Sequence, residues 1–398
     1  MEAIKWVTNN KYKTKDKYSH LMSETEVSKA YDFHRSFPEY EATPLVHVPK
    51  LTSMLGLKYV FVKDESYRFG LNAFKVLGGS YAIACYIGQQ LGIDVSQLPY
   101  ERFISSEVRD SIGQVTLYTA TDGNHGRGVA WASTQLGQKS VVLMPQGSSV
   151  YRRDKIIEEG GICFIEDVNY DVCVRKANKM AEEDEHGVIV QDTAWDGYED
   201  IPTWIMQGYG TLIHEVSILL DAMDVMPSHV FLQAGVGSFA GAVTGYLKHR
   251  YKDQIPTIIV VEASACDCLY QSALVDDGNI HTIEGDLSTI MAGLACGEPN
   301  TIAYDILRHH VDVFVSAPDW VAARGMRILG APLKGDPQVI SGESGAVTCG
   351  LLDSIMRNPE YTELQKTLCL DEESVVVLIS TEGDTDPVHY REVLWGST

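Results

Sequence analysis

The sequence predicts an α/β protein of two interleaved α/β domains, with mainly parallel sheets and a cofactor cleft between them. Apolar runs of strand length alternate with segments long enough for crossover helices, which argues for parallel strands covered on both faces. The runs are too many for one compact sheet. No Pro-, Gly- or Ser-rich linker divides the chain, and interleaving accounts for that absence. The larger domain is expected to take residues 1–85 and 210–398, and the smaller, inserted one residues 86–209.

Composition limits the function classes. A chain of 398 residues can bury a substantial core, and 45% hydrophobic with 22% charged residues is globular. Lys and Arg number 32 against 54 Asp and Glu, for a net charge of -22. Nucleic acid demands a basic stripe, and only the short mixed stretch of residues 11–17 comes near one, so no such partner is expected. No run approaches the roughly 20 apolar residues that span a bilayer, and residues 1–10 lack a signal core. No membrane contact and a cytoplasmic location are expected. Eight cysteines without C-x-x-C spacing make a disulfide framework or a metal site unexpected, and Cys266 and Cys268 read as ordinary small residues.

In chain order, residues 1–43 are polar and Tyr-rich and read as an arm carrying one helix near residues 24–36. Thr43-Pro44-Leu45 breaks that pattern. A short strand at 59–62 leads through Lys63-Asp64-Glu65 and a loop to Asn72-Ala73-Phe74-Lys75-Val76-Leu77-Gly78-Gly79. Further strands are expected at 115–120, 140–144, 162–165, 188–191, 229–233, 258–262, 311–315 and 375–380. Crossover helices are expected at 127–136, 151–159, 171–185, 204–220 and 239–251.

Lys75 lies in an apolar run of small residues that opens a helical pattern, where an unpaired ammonium is costly to bury. Desolvation lowers a lysine's pKa, so a neutral amine could condense there with an aldehyde. A surface lysine with its stem on apolar neighbours gives the same local pattern. Gly235-Val236-Gly237-Ser238-Phe239-Ala240-Gly241 follows a strand and opens a helix, which suits a phosphate at a helix N-terminus. The same spacing, with Glu262 ending the next strand, also fits a dinucleotide site and hence an NAD-dependent oxidoreductase. A second turn, Thr121-Asp122-Gly123-Asn124-His125-Gly126, also sits between strand and helix. Two anion-binding turns suit a cofactor phosphate together with a substrate carboxylate.

Taken in order, Phe74-Lys75 before Gly78-Gly79, Thr121 to Gly126, Gly235 to Ser238 and Ile379-Ser380-Thr381-Glu382-Gly383-Asp384 resemble the signature of fold-type II pyridoxal-phosphate enzymes, the tryptophan synthase β and threonine dehydratase superfamily. Asp122 stands where that group usually has a hydroxyl. With Gln191-Asp192-Thr193-Ala194-Trp195, Met291-Ala292-Gly293-Leu294-Ala295-Cys296 and Ser341-Gly342-Glu343-Ser344-Gly345-Ala346, the chain is similar to the diaminopropionate ammonia-lyase family. A serine or threonine dehydratase is the alternative within the group, and Asp122 counts against it.

The resemblance implies elimination of 2,3-diaminopropionate, D or L, to pyruvate and ammonia by a homodimer that uses pyridoxal 5'-phosphate. Lys75 would bind the cofactor covalently, and Asn124 would contact its ring hydroxyl. Gly235, Val236, Gly237 and Ser238 would cradle the phosphate through backbone N–H groups. Ser380 would face the ring nitrogen, with Thr381 the alternative if the register differs by one. Thr121, Asp122, Gly123 and Asn124 would hold the substrate carboxylate, and Asp122 and Asp192 would do the acid–base work.

Overall fold

The computed structural model describes residues 2–11 and 14–396, so residues 12 and 13 of the basic stretch lie outside the described residues. Eleven strands are found among them: β1 (Lys5–Thr8), β2 (Leu45–His47), β3 (Tyr59–Asp64), β4 (Thr116–Ala120), β5 (Lys139–Met144), β6 (Ile162–Ile165), β7 (Gly187–Ile189), β8 (His229–Gln233), β9 (Thr257–Ala263), β10 (Val313–Ala317) and β11 (Val375–Ser380). They form two sheets. The larger runs β1-β10-β9-β8-β11-β3-β2 and the smaller β6-β5-β4-β7. Every pairing is parallel except the outermost two of the larger sheet, where β1 lies antiparallel on β10 and β2 on β3.

The apolar runs are continuous because both faces of the larger sheet are covered. In β11, Val375, Val377 and Ile379 enter one hydrophobic core, while Val376 and Leu378 enter another on the opposite face. The two-residue period of a strand divides one run between two cores.

The N-terminal segment differs from the expected arm. Residues 5–8 pair with β10 in register from Lys5–Ser316 to Thr8–Val313, so they are an edge strand of the larger sheet. The helix that follows is Glu24–Arg35, packed through Val27, Ala30 and Phe33.

The helix Val76–Leu91 is held by close approaches. A Cβ on Gly128 would come 2.7 Å from the Cα of Val76, and one on Gly208 would collide with the Leu77 carbonyl. Only glycine lets these neighbours come so near the first turn after Lys75. The loop before it rests on a buried ionic cluster. Lys63 donates to Glu215 at 2.6 Å, and Arg68 bridges Glu65 at 2.9 Å and Glu215 at 2.7 Å. Burial raises the Glu215 carboxyl, but Arg68 and Lys63 outweigh it and hold the group down at about 2.

Candidate active site

Five segments meet beyond the carboxyl ends of strands, where α/β folds build ligand sites. They are the loop from β3 to Lys75, the turn after β4, Asp192 beyond β7, the Gly235–Ser238 turn after β8, and Thr381-Glu382 after β11. Lys75, Asn124, Asp192, the four residues 235–238 and Thr381 line one cavity, so the structure brings most of the expected site together.

Lys75 stands at the N-cap of the helix Val76–Leu91, and its Nζ donates to Asp192 Oδ2 at 2.7 Å. Burial alone would pull its ammonium down. Asp192 outweighs burial, with Tyr209 and Asp122 adding to it, and holds Lys75 well above the ordinary lysine value. This corrects the expectation of a neutral amine freed by desolvation, because the compensating carboxylate lies 117 residues away in sequence.

Asp192 is braced on its other side. Its Oδ1 accepts from the Tyr170 hydroxyl at 3.2 Å and from Gln191 Nε2 at 3.2 Å, and Tyr209 donates to Oδ2 at 3.5 Å. Burial would raise this carboxyl too. The charges of Lys75 and His125, with hydrogen bonds from Lys75 and Tyr170, hold it well below the usual carboxylate range.

At the β8 turn, Gly237 takes φ +93°, a conformation that favours glycine, and Ser238 begins the helix Ser238–Tyr251. The amides of a helix's first turn have no intrahelical partner, and the dipole there favours an anion. The Ser238 hydroxyl itself is engaged. It donates to the Asp192 carbonyl and accepts from Asn300 Nδ2 at 2.8 Å, which leaves the backbone to face a ligand.

The turn after β4 divides its labour. Thr121 Oγ1 accepts from the amides of Gly123 and Gly126 at 2.9 and 3.1 Å, shaping the turn. Asn124 lines the cavity and donates to Glu382 Oε2 at 2.5 Å. Asp122 and Gly123 lie outside that cavity's wall. Asp122 borders an adjoining vestibule of about 570 Å³, and Gly123 a smaller cavity shared with Asn124 and Arg152. Tyr170 lines both the inner cavity and the vestibule.

Two expectations are corrected. The Ser380 hydroxyl turns away from the cavity and donates to Ser341 Oγ at 2.7 Å, whereas Thr381 lines it and accepts from Gln233 Nε2 at 2.9 Å. Neighbouring residues at a strand end face opposite ways, so a one-residue error in register exchanges them. Glu262, the candidate ribose-binding acid, is wholly buried and accepts from the amides of Leu269 and Tyr270 at 2.9 and 2.6 Å. It serves the start of the helix Cys268–Val275, and the dinucleotide reading loses its acid.

Sequence reasoning missed Tyr170, Tyr209, Gln233 and Ser344 as lining residues. Gln233 ends an apolar run and Ser344 lies in the Ser341 to Ala346 motif, but nothing local marks either of them, or the two tyrosines, as facing the cavity. Among the described residues no cluster of His, Cys, Asp or Glu could hold a metal, and no helix is long and apolar enough to cross a membrane. All eight cysteines are free, and Cys268 Sγ lies 3.8 Å from the Cys296 carbonyl oxygen.

A lysine lining a cavity, an anion-binding turn and an aspartate between them define a class of lysine-anchored cofactor enzymes, and residues 37–380 match the pyridoxal-phosphate dependent enzyme family, to which the chain belongs. Within it, the chain falls among the diaminopropionate ammonia-lyases. It is 52% identical over 365 residues to that enzyme from Salmonella typhimurium, covering 91% of this chain and 90% of the relative. The crystal structure of the Escherichia coli enzyme in complex with D-serine superposes with a TM-score of 0.91 at 45% identity, covering 99% of this chain and 97% of that one. A structure of the same enzyme with an aminoacrylate-PLP azomethine reaction intermediate gives 0.90 at 45% identity, with the same coverage.

The residues present fit pyridoxal phosphate. One cavity offers an amine for its aldehyde, free first-turn amides for its dianion, and the aromatic faces of Phe74 and Phe239 beside them. The buried Gln233 Oε1 has no hydrogen-bond partner among the described residues, a polar atom left over for a bound group.

Proposed function

We propose that this chain eliminates 2,3-diaminopropionate to pyruvate and two molecules of ammonia. The observation that carries the reading is the pairing of Lys75 with Asp192 in the same cavity as the Gly235–Ser238 turn. When bound, pyridoxal phosphate withdraws electrons from the substrate's Cα and so acidifies its hydrogen.

The chain supplies the rest. Lys75 would hold the cofactor's aldehyde through its amine. Gly235, Val236, Gly237 and Ser238 hold the phosphate by their amides, Asn124 takes the ring hydroxyl, and Thr381 rather than Ser380 takes the ring nitrogen. A neutral hydroxyl there suits elimination over transamination. Thr121, Asp122, Gly123 and Asn124 hold the substrate carboxylate. Asp192, beside Lys75, and Asp122, on the vestibule side, take the α-proton from different sides. Two such bases allow both D and L isomers to react.

We also infer a cytoplasmic homodimer, in which residues 1–85 and 210–398 form the larger domain and 86–209 the smaller. Eight free cysteines suit a reducing compartment. An absorption spectrum of the purified protein, taken before and after adding 2,3-diaminopropionate with pyruvate and ammonia assayed, tests the reaction. A visible band that changes on mixing, with two ammonia per pyruvate, is expected. A protein that stays colourless with pyridoxal phosphate, or releases no pyruvate, would overturn it.

A further inference from the structure

We propose that Asp122, Ser344 and Gly293 form the subsite that receives the substrate's β-ammonium and separates a diamino acid from serine. The proposal rests on the reading of the chain as a 2,3-diaminopropionate lyase. Two buried acceptors stand without hydrogen-bond partners among the described residues, Asp122 Oδ2 and Ser344 Oγ. Buried polar atoms are rarely left in that state, so each marks a place where a ligand's polar group can fit. Both face one small space. A Cβ built on Gly293 would lie 2.9 Å from Ser344 Oγ and 3.4 Å from Asp122 Oδ2, so glycine keeps open the volume the two oxygens share.

The three residues come from separate elements: the turn after β4, the first turn of the helix Glu343–Arg357, and the turn Ala292–Leu294. Ser344 is only 3% exposed and Gly293 borders the same inner cavity as Lys75, which places the space inside the site. Arg152 approaches Asp122 Oδ2 to 3.9 Å, beyond hydrogen-bond reach, and its other amino group lies 3.5 Å from Glu343. The Asp122 oxygen therefore retains its capacity for a second cation.

The Asp122 carboxylate only accepts, and the unpartnered Ser344 hydroxyl has lone pairs free to accept, a pair that suits an ammonium. Held as an ammonium, the group leaves with the C–N bonding pair as neutral ammonia, while the pair from the Cα–H bond forms the new double bond and the α-proton goes to the base. No further acid is needed. A serine hydroxyl in the same space would supply Asp122 with no second cation beside Arg152.

The test compares D-2,3-diaminopropionate with D-serine, which differs in carrying a hydroxyl at that carbon. Dissociation constants are read from the visible absorption of the loaded enzyme within the mixing time, and KM and kcat from pyruvate release. Ser344→Ala is expected to weaken diaminopropionate about tenfold and D-serine less than about threefold, the loss of one hydrogen bond to a charge. Gly293→Ala, which fills the space, is expected to weaken diaminopropionate further while cofactor binding persists. Equal losses on both amino acids, or unchanged diaminopropionate affinity in Gly293→Ala, would overturn the subsite. If Ser344→Ala does not fold, as judged by its melting temperature, Ser344→Cys keeps the volume with a weaker acceptor and the same outcomes apply. Failure of the wild type to release pyruvate would overturn the parent reading instead.

Discussion

Lys75 Nζ and Asp192 Oδ2 lie 2.7 Å apart, with the lysine side chain 17% and the aspartate 3% exposed. Each charge is tolerable in the interior because of the other. Lys75 would hold an aldehyde through this same amine, and the carboxylate is braced as well by Tyr170, Gln191 and Tyr209. The pair is thus both a resting store of charge and the start of the chemistry.

Replacing Asp192 with Asn removes the charge that holds the Lys75 ammonium high and leaves the burial that lowers it. The pH dependence of cofactor uptake by the apoprotein, followed by the visible band, should shift to lower pH, with faster uptake at neutral pH. Slower uptake across the range would contradict the assignment. Lys75→Ala should show no such band.

Asp122→Asn and Asp192→Asn should each lose one isomer of 2,3-diaminopropionate preferentially, by about 100-fold or more for removal of a general base. Separate kcat/KM values for D and L substrate decide this. Equal losses on both isomers would remove the division between the two sides.

Tyr170→Phe should lower kcat/KM about three- to tenfold for the isomer served by Asp192, the loss of one hydrogen bond to a charged group. The lost hydrogen bond helped hold the Asp192 carboxyl down, so that carboxyl rises. A base must be ionised to act, and the acid limb of that isomer's pH profile should therefore move to higher pH. An unmoved limb would assign the phenol a packing role only.

Glu215→Gln leaves Lys63 and Arg68 with Glu65 alone, a net positive charge in the interior. Breaking such a pair costs ~3–5 kcal/mol, measurable by urea denaturation. Glu215 falls from its ordinary 4.5 to about 2 in the fold, so its contribution is complete above about pH 4.5 and is lost as pH drops through about 2. The stability gap between variant and wild type should close over that window and stay open at neutral pH.

Gly128→Ala would drive a methyl group to within 2.7 Å of the Val76 Cα, next to Lys75. Overpacking against backbone costs ~1–3 kcal/mol in thermal or denaturant unfolding. Because the displaced turn begins at Lys75, kcat should fall in a variant that still binds cofactor. Unchanged kcat with lowered stability would separate packing from positioning.

Much of the site was legible because its motifs are contiguous and lie beyond apolar runs: Lys75, Asn124, Gly235 to Ser238 and Asp192 all meet at one cavity. The larger sheet's central strands were legible for the same reason. What escaped depends on partners distant in sequence. The raised pKa of Lys75 comes from Asp192, the place of Tyr170 from a helix start that happens to face two cavities, and the unpaired state of Ser344 from the turn at Gly293. Ser380 and Thr381 exchange roles within a single pleat. β1 and β2, four and three residues long, carry no apolar run of their own and are strands because β10 and β3 offer an edge.

The antiparallel β1 therefore acts as a seal. Val313 to Ala317 would otherwise present a row of unpaired amides and carbonyls from a wholly buried, apolar strand, the kind of template that recruits other chains into aggregates. Residues 5–8 cover it with a strand carrying Lys5 and Thr8. Trimming a few residues from this end, by a protease or in designing a shortened variant, would touch no part of the site and yet expose the protein to self-association.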